Sequence, residues 1–108
     1  MHRAMWMGAV ALCLAAAPAW AGGDAAAREK KAEPCAACHG PAGGKPLTPD
    51  YPLLAGQHED YLKHTLKAYK SGKRKNAIMN GMAAPLSKQD IADLAAYFSK
   101  QQGLQVKY

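Results

Sequence analysis

The chain of 108 residues has few long apolar stretches, few tryptophans and few cysteines. Its main apolar run, residues 4–17, is shorter than the roughly 20 residues that a membrane-spanning helix needs. An uncleaved membrane anchor is therefore disfavoured. The two tryptophans, Trp6 and Trp20, lie near the N-terminus, and the sequence has no internal repeat. These absences favour one small domain after an N-terminal segment.

That N-terminal segment is typical of an export signal. A basic head at residues 1–3 precedes the apolar run, and Ala19-Trp20-Ala21 presents the small-x-small pattern that signal peptidase recognises. We predict that residues 1–21 are a signal peptide cleaved after Ala21, and that residues 22–108 form a single exported domain in the periplasm. Cys13 follows the bulky Leu12, where a lipoprotein signal has a small residue, and is interpreted as an apolar filler.

Residues 35–40, Cys-Ala-Ala-Cys-His-Gly, contain the Cys-x-x-Cys-His signature of covalent haem c attachment. The thiols of Cys35 and Cys38 can form thioethers with the two vinyl groups of one porphyrin, and His39 then becomes the proximal iron ligand. We predict one covalently attached haem c per chain. It supplies the apolar mass that a domain of this size has difficulty providing from side chains alone.

Two other kinds of site use paired cysteines. A thioredoxin-like dithiol or disulfide expects a strand before the motif and a helix after it, and gives His39 no role. A zinc site needs two further ligands. Outside the motif the chain offers only Cys13, His2, His58 and His64, and the first two lie in the predicted signal peptide.

The sequence pattern predicts helices separated by two loops. The first helix is capped by Asp24 and continues to Ala32, where Pro34 ends or kinks it. Residues 40–52 are too rich in glycine and proline for a helix or a central strand. Residues 58–70 form the next helix, which ends at Gly72. Its apolar stripe faces the core and the haem and consists of Tyr61, Leu62, Thr65, Leu66 and Tyr69.

The last helix opens on a capping box of Ser87 and Asp90 and is expected to stop at Gly103. Its packed face comprises Ile91, Leu94, Ala95 and Phe98. Before it, residues 72–85 are expected to form a loop too broken for a long helix. This loop holds Met79 and Met82, the only methionines left after signal cleavage. Either could be the distal haem ligand, although methionine also fills gaps in ordinary cores.

A ligating imidazole normally donates its other ring N–H to an oxygen atom that fixes the ring orientation. For His39 the preferred acceptor is the carbonyl of Pro49, with Pro52 as the second choice. The alternative is that both prolines only shape the loop.

Six short motifs accompany the haem motif: Tyr-Pro-Leu-Leu-Ala-Gly-Gln at 51–57, Tyr-Leu at 61–62, Tyr-Lys-Ser-Gly at 69–72, Met-Asn-Gly-Met at 79–82, Leu-Ser at 86–87 and Ile-Ala-Asp-Leu-Ala-Ala-Tyr-Phe at 91–98. With them the chain resembles a class I cytochrome c, especially the small bacterial periplasmic type found singly or as each half of tandem dihaem proteins. The resemblance implies an all-α fold of three to four helices and loops wrapped around one haem. It also implies that His39 and Met79 are the axial ligands, with Met82 the weaker candidate.

The expected function is one-electron transfer between respiratory or other redox enzymes, without enzymatic activity. A haem enzyme or gas-binding protein with a labile distal ligand is the first alternative, and a dedicated electron-transfer subunit of a dehydrogenase is the second. With 14 Lys and Arg against 8 Asp and Glu, the chain favours acidic protein surfaces as partners. The docking surface is predicted near Lys73, Arg74 and Lys75, which could equally be solvated charges, and nucleic acid is not expected.

Overall fold

The computed structural model describes residues 25–103, together with the isolated positions Gly8 and Ala11. The predicted signal peptide, its cleavage site and the Asp24 cap lie outside these residues. The described part is all-helical, which confirms the predicted fold class. Its α-helices are α1 (Ala25–Ala32), α2 (Ala36–His39), α3 (Glu59–Ser71), α4 (Ala77–Ala83) and α5 (Lys88–Ser99). None of the helices within residues 25–103 is both long enough and apolar enough to cross a bilayer.

The first helix ends where proline requires it to end. After Ala32, a 3₁₀ turn (Glu33–Cys35) with Pro34 in its first positions leads directly into the single turn of α2. The predicted kink is thus a change from α- to 3₁₀-helical winding. The glycine- and proline-rich segment that follows is mostly irregular, but it contains a second short 3₁₀ turn, Pro41–Gly43, where only loop was expected.

The C-terminal end of α3 and the start of α5 confirm their sequence signals. Gly72 adopts the left-handed conformation at the end of α3, with φ +81°, and its N–H bonds the Tyr69 carbonyl. At the start of α5 the Ser87 side chain accepts from the Asp90 N–H at 3.0 Å, and the Asp90 carboxylate accepts from the Ser87 N–H at 2.9 Å. The expected stop at Gly103 is wrong, because α5 already ends at Ser99.

The segment between α3 and α5 contains a helix that the sequence analysis described as loop. Helix α4 has seven residues, which include Met79 and Met82. Asn76 caps it with a side-chain oxygen that accepts from the Met79 N–H at 3.0 Å. Gly81 lowers the helix propensity of this stretch, so the helix depends on its cap and on contacts with α3.

The core lies where α5 packs against α1 and α3. Its buried members are Ala32, Leu62, Leu94, Ala95 and Phe98. One polar side chain is buried beside them: Asp93, which is 5% exposed. Its carboxylate accepts from Lys31 Nζ at 2.5 Å and from Gln89 Nε2 at 3.0 Å, and Arg28 Nε lies 3.5 Å away. A buried acid on α5 is thereby compensated by two cations of α1.

Candidate haem site

A cavity of about 670 Å³ lies between the segment that carries the Cys-x-x-Cys-His motif and helices α3, α4 and α5. This volume is within the range of ordinary cofactor pockets. The predicted stripe of α3 lines the cavity in full, and Leu94 and Phe98 of α5 close it. The other apolar lining residues are Pro34, Pro49, Pro52, Leu53, Leu54, Ile78, Met79 and Met82.

The 3₁₀ turn and α2 place the motif at the wall of this cavity. Cys35, Cys38 and His39 all line it. The next residue, Gly40, has φ +81°, and a Cβ at this position would lie 1.8 Å from the Lys45 carbonyl oxygen. Only glycine fits such a close backbone approach. The chain therefore turns sharply after His39. A hydrogen bond of 2.9 Å from the Leu47 N–H to the Cys38 carbonyl then fixes the segment that comes back toward the motif.

His39 is buried and held in one orientation. Its Nδ1 lies 2.8 Å from the Pro52 carbonyl oxygen, and because a carbonyl can only accept, Nδ1 carries the proton. Nε2 is then left with its lone pair, as an iron ligand requires. The ring of Tyr51 meets the imidazole edge-on at 6.0 Å between centroids.

The preferred acceptor Pro49 is wrong, and the second choice, Pro52, makes the contact. Pro49 is exposed and lies within a turn closed by the Tyr51 N–H and the Thr48 carbonyl. After that turn the chain is anchored again, where the Leu54 N–H bonds the Gly43 carbonyl at 2.9 Å. Pro52 lies next to this anchored segment, whereas Pro49 does not.

The two cysteines are half-buried free thiols. Burial raises the pKa of the Cys35 thiol, with a further contribution from the neighbouring Cys38. A redox-active dithiol needs the opposite, a thiol that ionises readily. The motif is also preceded by helix α1 and a 3₁₀ turn instead of a strand. Both observations argue against the thioredoxin-like alternative.

The two candidate distal ligands both lie on α4 and line the cavity. Met79 is half-buried, and its N–H is fixed by the Asn76 cap. Met82 lies nearly one turn later and is 45% exposed. The sequence signal for the cap was available, since Asn76 stands immediately before an apolar run, where asparagine is a favoured N-cap.

The basic cluster near α4 consists of residues with different roles. Arg74 packs on the ring of Tyr69 at 5.0 Å, and its Nη1 lies 3.5 Å from the Tyr61 hydroxyl. It is the only lysine or arginine among the described residues that line the cavity, so it is the cation available to the carboxylates of a porphyrin. Lys70 donates to the Ala84 carbonyl at 2.7 Å. Lys73 and Lys75 are exposed.

These residues fit a haem. Two thiols, an imidazole bonded through Nδ1 and two methionine side chains border one mainly apolar cavity, and Arg74 places one guanidinium at its wall. In a helical fold, this set of groups defines a protein that carries haem c.

Comparisons with known proteins agree with the assignment of a haem c protein. The cytochrome c family model matches residues 25–102. Cytochrome c-554(548) of Halomonas halodenitrificans is 52% identical over 83 residues, which cover 74% of this chain and 99% of that protein. Cytochrome c4 of Pseudomonas aeruginosa is 51% identical over 83 residues, 77% of this chain and 41% of the relative. The crystal structure of reduced cytochrome c4 from Pseudomonas stutzeri matches with a TM-score of 0.68 at 45% identity, covering 76% of this chain and 47% of the other.

The chain therefore belongs to the cytochrome c family, and its function is electron transfer through a covalently attached haem c. It spans nearly the whole of one relative but less than half of the cytochromes c4. The prediction of a class I cytochrome c related to single-haem proteins and to halves of larger ones is confirmed.

Proposed function

We propose that this protein is a periplasmic one-electron carrier, not an enzyme, whose haem c is bound through Cys35 and Cys38 with His39 and Met79 as axial ligands. The observation that carries the proposal is the hydrogen bond between His39 Nδ1 and the Pro52 carbonyl, which leaves Nε2 available as an iron ligand. When bound, the haem supplies a one-electron change between ferrous and ferric iron. Because His39 and Met79 would both hold the iron, no position on it would be open to a substrate.

Burial and backbone support favour Met79 over Met82 as the distal ligand. The N–H of Met79 is held by the Asn76 cap, whereas Met82 is more exposed and follows the flexible Gly81. A ligand atom has to be held in place before it can keep a sixth position closed, and Met79 meets that requirement better.

The proposal also includes the location of the protein and the kind of partner it meets. Residues 1–21 would direct export and be removed, and the mature chain would exchange electrons with redox proteins that have acidic docking surfaces. Lys73 and Lys75, which are exposed beside the cavity residue Arg74, are the candidates for that contact. Charges at the edge of a docking surface increase the rate of encounter with the partner protein more than they increase the affinity for it.

The test is the optical spectrum of the purified protein and of two variants. We expect the ferric protein to show a far-red sulfur-to-iron band, and the ferrous protein not to change on addition of carbon monoxide. Met79→Ala should abolish the band and lower the reduction potential by on the order of 0.1 V or more, since axial ligands control haem potentials over about 0.8 V. Met82→Ala is the matched control and should keep the band.

The opposite result would transfer the ligand role to Met82. If neither variant lost the band, another group would be the sixth ligand. A high-spin wild-type spectrum with ready binding of carbon monoxide would instead favour an enzyme or a gas-binding protein.

A further inference from the structure

The N-terminal end of α4 is fastened to α3 by the side chain of Asn80, the residue that directly follows Met79. Asn80 Nδ2 donates to the Tyr69 carbonyl at 2.8 Å and to the Arg74 carbonyl at 2.9 Å. Its Oδ1 accepts from the Asn76 N–H at 3.0 Å. These three hydrogen bonds are called the Asn80 clamp below.

The clamp joins three separate points of the backbone. Tyr69 lies in the last turn of α3, Arg74 in the turn that follows, and Asn76 at the cap of α4. Both N–H donors of the amide and its oxygen are engaged, so few other side chains could make the same set of contacts. One side chain thereby links the end of α3 before the 72–76 turn to Arg74 and Asn76 within the turn.

Helix α4 has little else to hold it. It has only seven residues, and isolated helices of this length are not stable in water. Ala83 is its only buried residue, while Ile78 and Met82 are 57% and 45% exposed. The bond from Lys70 to the Ala84 carbonyl supports its C-terminal end and is itself exposed. The position of α4 therefore depends strongly on hydrogen bonds, and the clamp supplies three of them.

We infer that Asn80 is a positioning residue for the distal methionine: through the clamp it holds α4 against α3 and keeps Met79 at the haem cavity. Met79, Arg74 and Asn76 line that cavity, and Asn80 is not among the described residues that do. Asn80 therefore affects Met79 indirectly, through the position of α4. This inference rests on the proposed function, in which Met79 is the sixth ligand.

The test compares loss of ligation with loss of the fold in the haem-loaded protein. Asn80→Ala should make the far-red band disappear on heating well before the helical circular dichroism melts, whereas the two transitions of the wild type lie close together. Amide hydrogen exchange in residues 77–83 should become roughly tenfold faster or more, because three hydrogen bonds that hold this helix are removed. Exchange in α5 should change much less.

Gln101→Ala is the matched control. It also removes a bond from a side-chain amide to a backbone carbonyl, here Gln101 Nε2 to Tyr97 at 2.9 Å, but beyond α5 and away from the clamp. Its two melting transitions should stay together. Asn80→Asp keeps the shape and the acceptor oxygen but loses both N–H donors, so it should separate the transitions as Asn80→Ala does. This variant tests the same inference if Asn80→Ala does not fold.

Parallel movement of the two transitions in both Asn80 variants, or no movement, would overturn the inference and leave Asn80 a structural residue. Failure of the proposed function gives a different pattern. In that case Met79→Ala would retain the wild-type band, whatever the Asn80 variants do, and the positioning role for Met79 would fall with it.

Discussion

The α1–α5 junction and the α3–α4 junction both hold helices of the domain together, but with different chemistry. Between α1 and α5 the bonds join charged side chains, with Arg28 and Lys31 around the buried Asp93. Between α3 and α4 the bonds run from the neutral amide of Asn80 and from Lys70 to backbone carbonyls. The first junction lies in the core, and the second borders the cavity.

This difference separates the stability of the domain from the integrity of the site. Ion pairs respond to pH and to salt, whereas an amide bonded to carbonyls does not titrate. Acid or loss of Asp93 should weaken the whole domain, and loss of the Asn80 clamp should open the distal side while the domain remains folded. The remaining predictions test how far the two junctions can be perturbed separately.

The largest effect is expected from removal of the haem, which borders α3, α4 and α5 together. Cys35→Ala/Cys38→Ala should have no covalent haem, and an apolar cavity of about 670 Å³ should leave the domain without a stable fold. Acid–acetone extraction measures covalent attachment, and far-UV circular dichroism measures helix content. A double variant that is exported, folds, and retains haem through extraction would contradict the assigned role of the motif.

A smaller, global effect is expected at the α1–α5 junction. Asp93→Asn leaves Arg28 without its anionic partner and Lys31 with Asp90 alone, which should lower the free energy of unfolding by about 2 kcal/mol. Denaturant titration measures this loss. Below the unfolding transition the far-red band should be unchanged, because α4 is not touched. Glu33→Gln, at an exposed acid, is the control and should change stability by less than about 0.5 kcal/mol.

The same junction should make stability depend on pH. Burial opposes ionisation of Asp93, but Lys31, Gln89 and Arg28 outweigh it and lower the pKa of this carboxyl. Since the folded-state pKa lies below the unfolded value of about 3.9, the stabilisation is complete above that value and is lost as the pH falls through the folded one. Asp93→Asn should flatten this acid limb. An unchanged slope would show that other carboxylates control it.

The smallest effect on stability is expected at the surface. Lys73→Gln/Lys75→Gln should leave the haem spectrum and the melting temperature unchanged, but should slow electron exchange with an acidic partner at low salt and flatten its dependence on ionic strength. Stopped-flow kinetics over a salt series measures both. Arg74 is left intact, because its contacts with Tyr61 and Tyr69 tie it to the cavity. Equal salt slopes in variant and wild type would mean that the two lysines are only solvated charges.

Local signals in the sequence predicted the local structure well. The Cys-x-x-Cys-His motif, the left-handed Gly72 and the Ser87–Asp90 box depend on residues a few positions apart. The fold class was implied by the resemblance to class I cytochromes c. Helix α4 was missed because Gly81 and the charged turn before it weaken the local pattern. Its stabilising contacts come from α3.

The rest could not be predicted because it depends on contacts between distant residues. Asp93 has the spacing of an ordinary polar residue on α5, and only the cations of α1 explain its burial. The choice of Pro52 over Pro49 depends on where Gly43 anchors the returning chain. Tyr61 was assigned to the apolar stripe and does line the cavity, yet it is 49% exposed and contacts Arg74.

The bond between Lys31 and Asp93 also determines the order in which the protein can assemble. The two residues are 62 positions apart, so the contact cannot form until almost the whole domain has been synthesised. Contacts of such long range close late, after local helices have formed. Cys35 packs against the core that α5 completes. We therefore expect the Cys35 thiol to stay accessible for haem attachment until α5 docks and completes the core beside it.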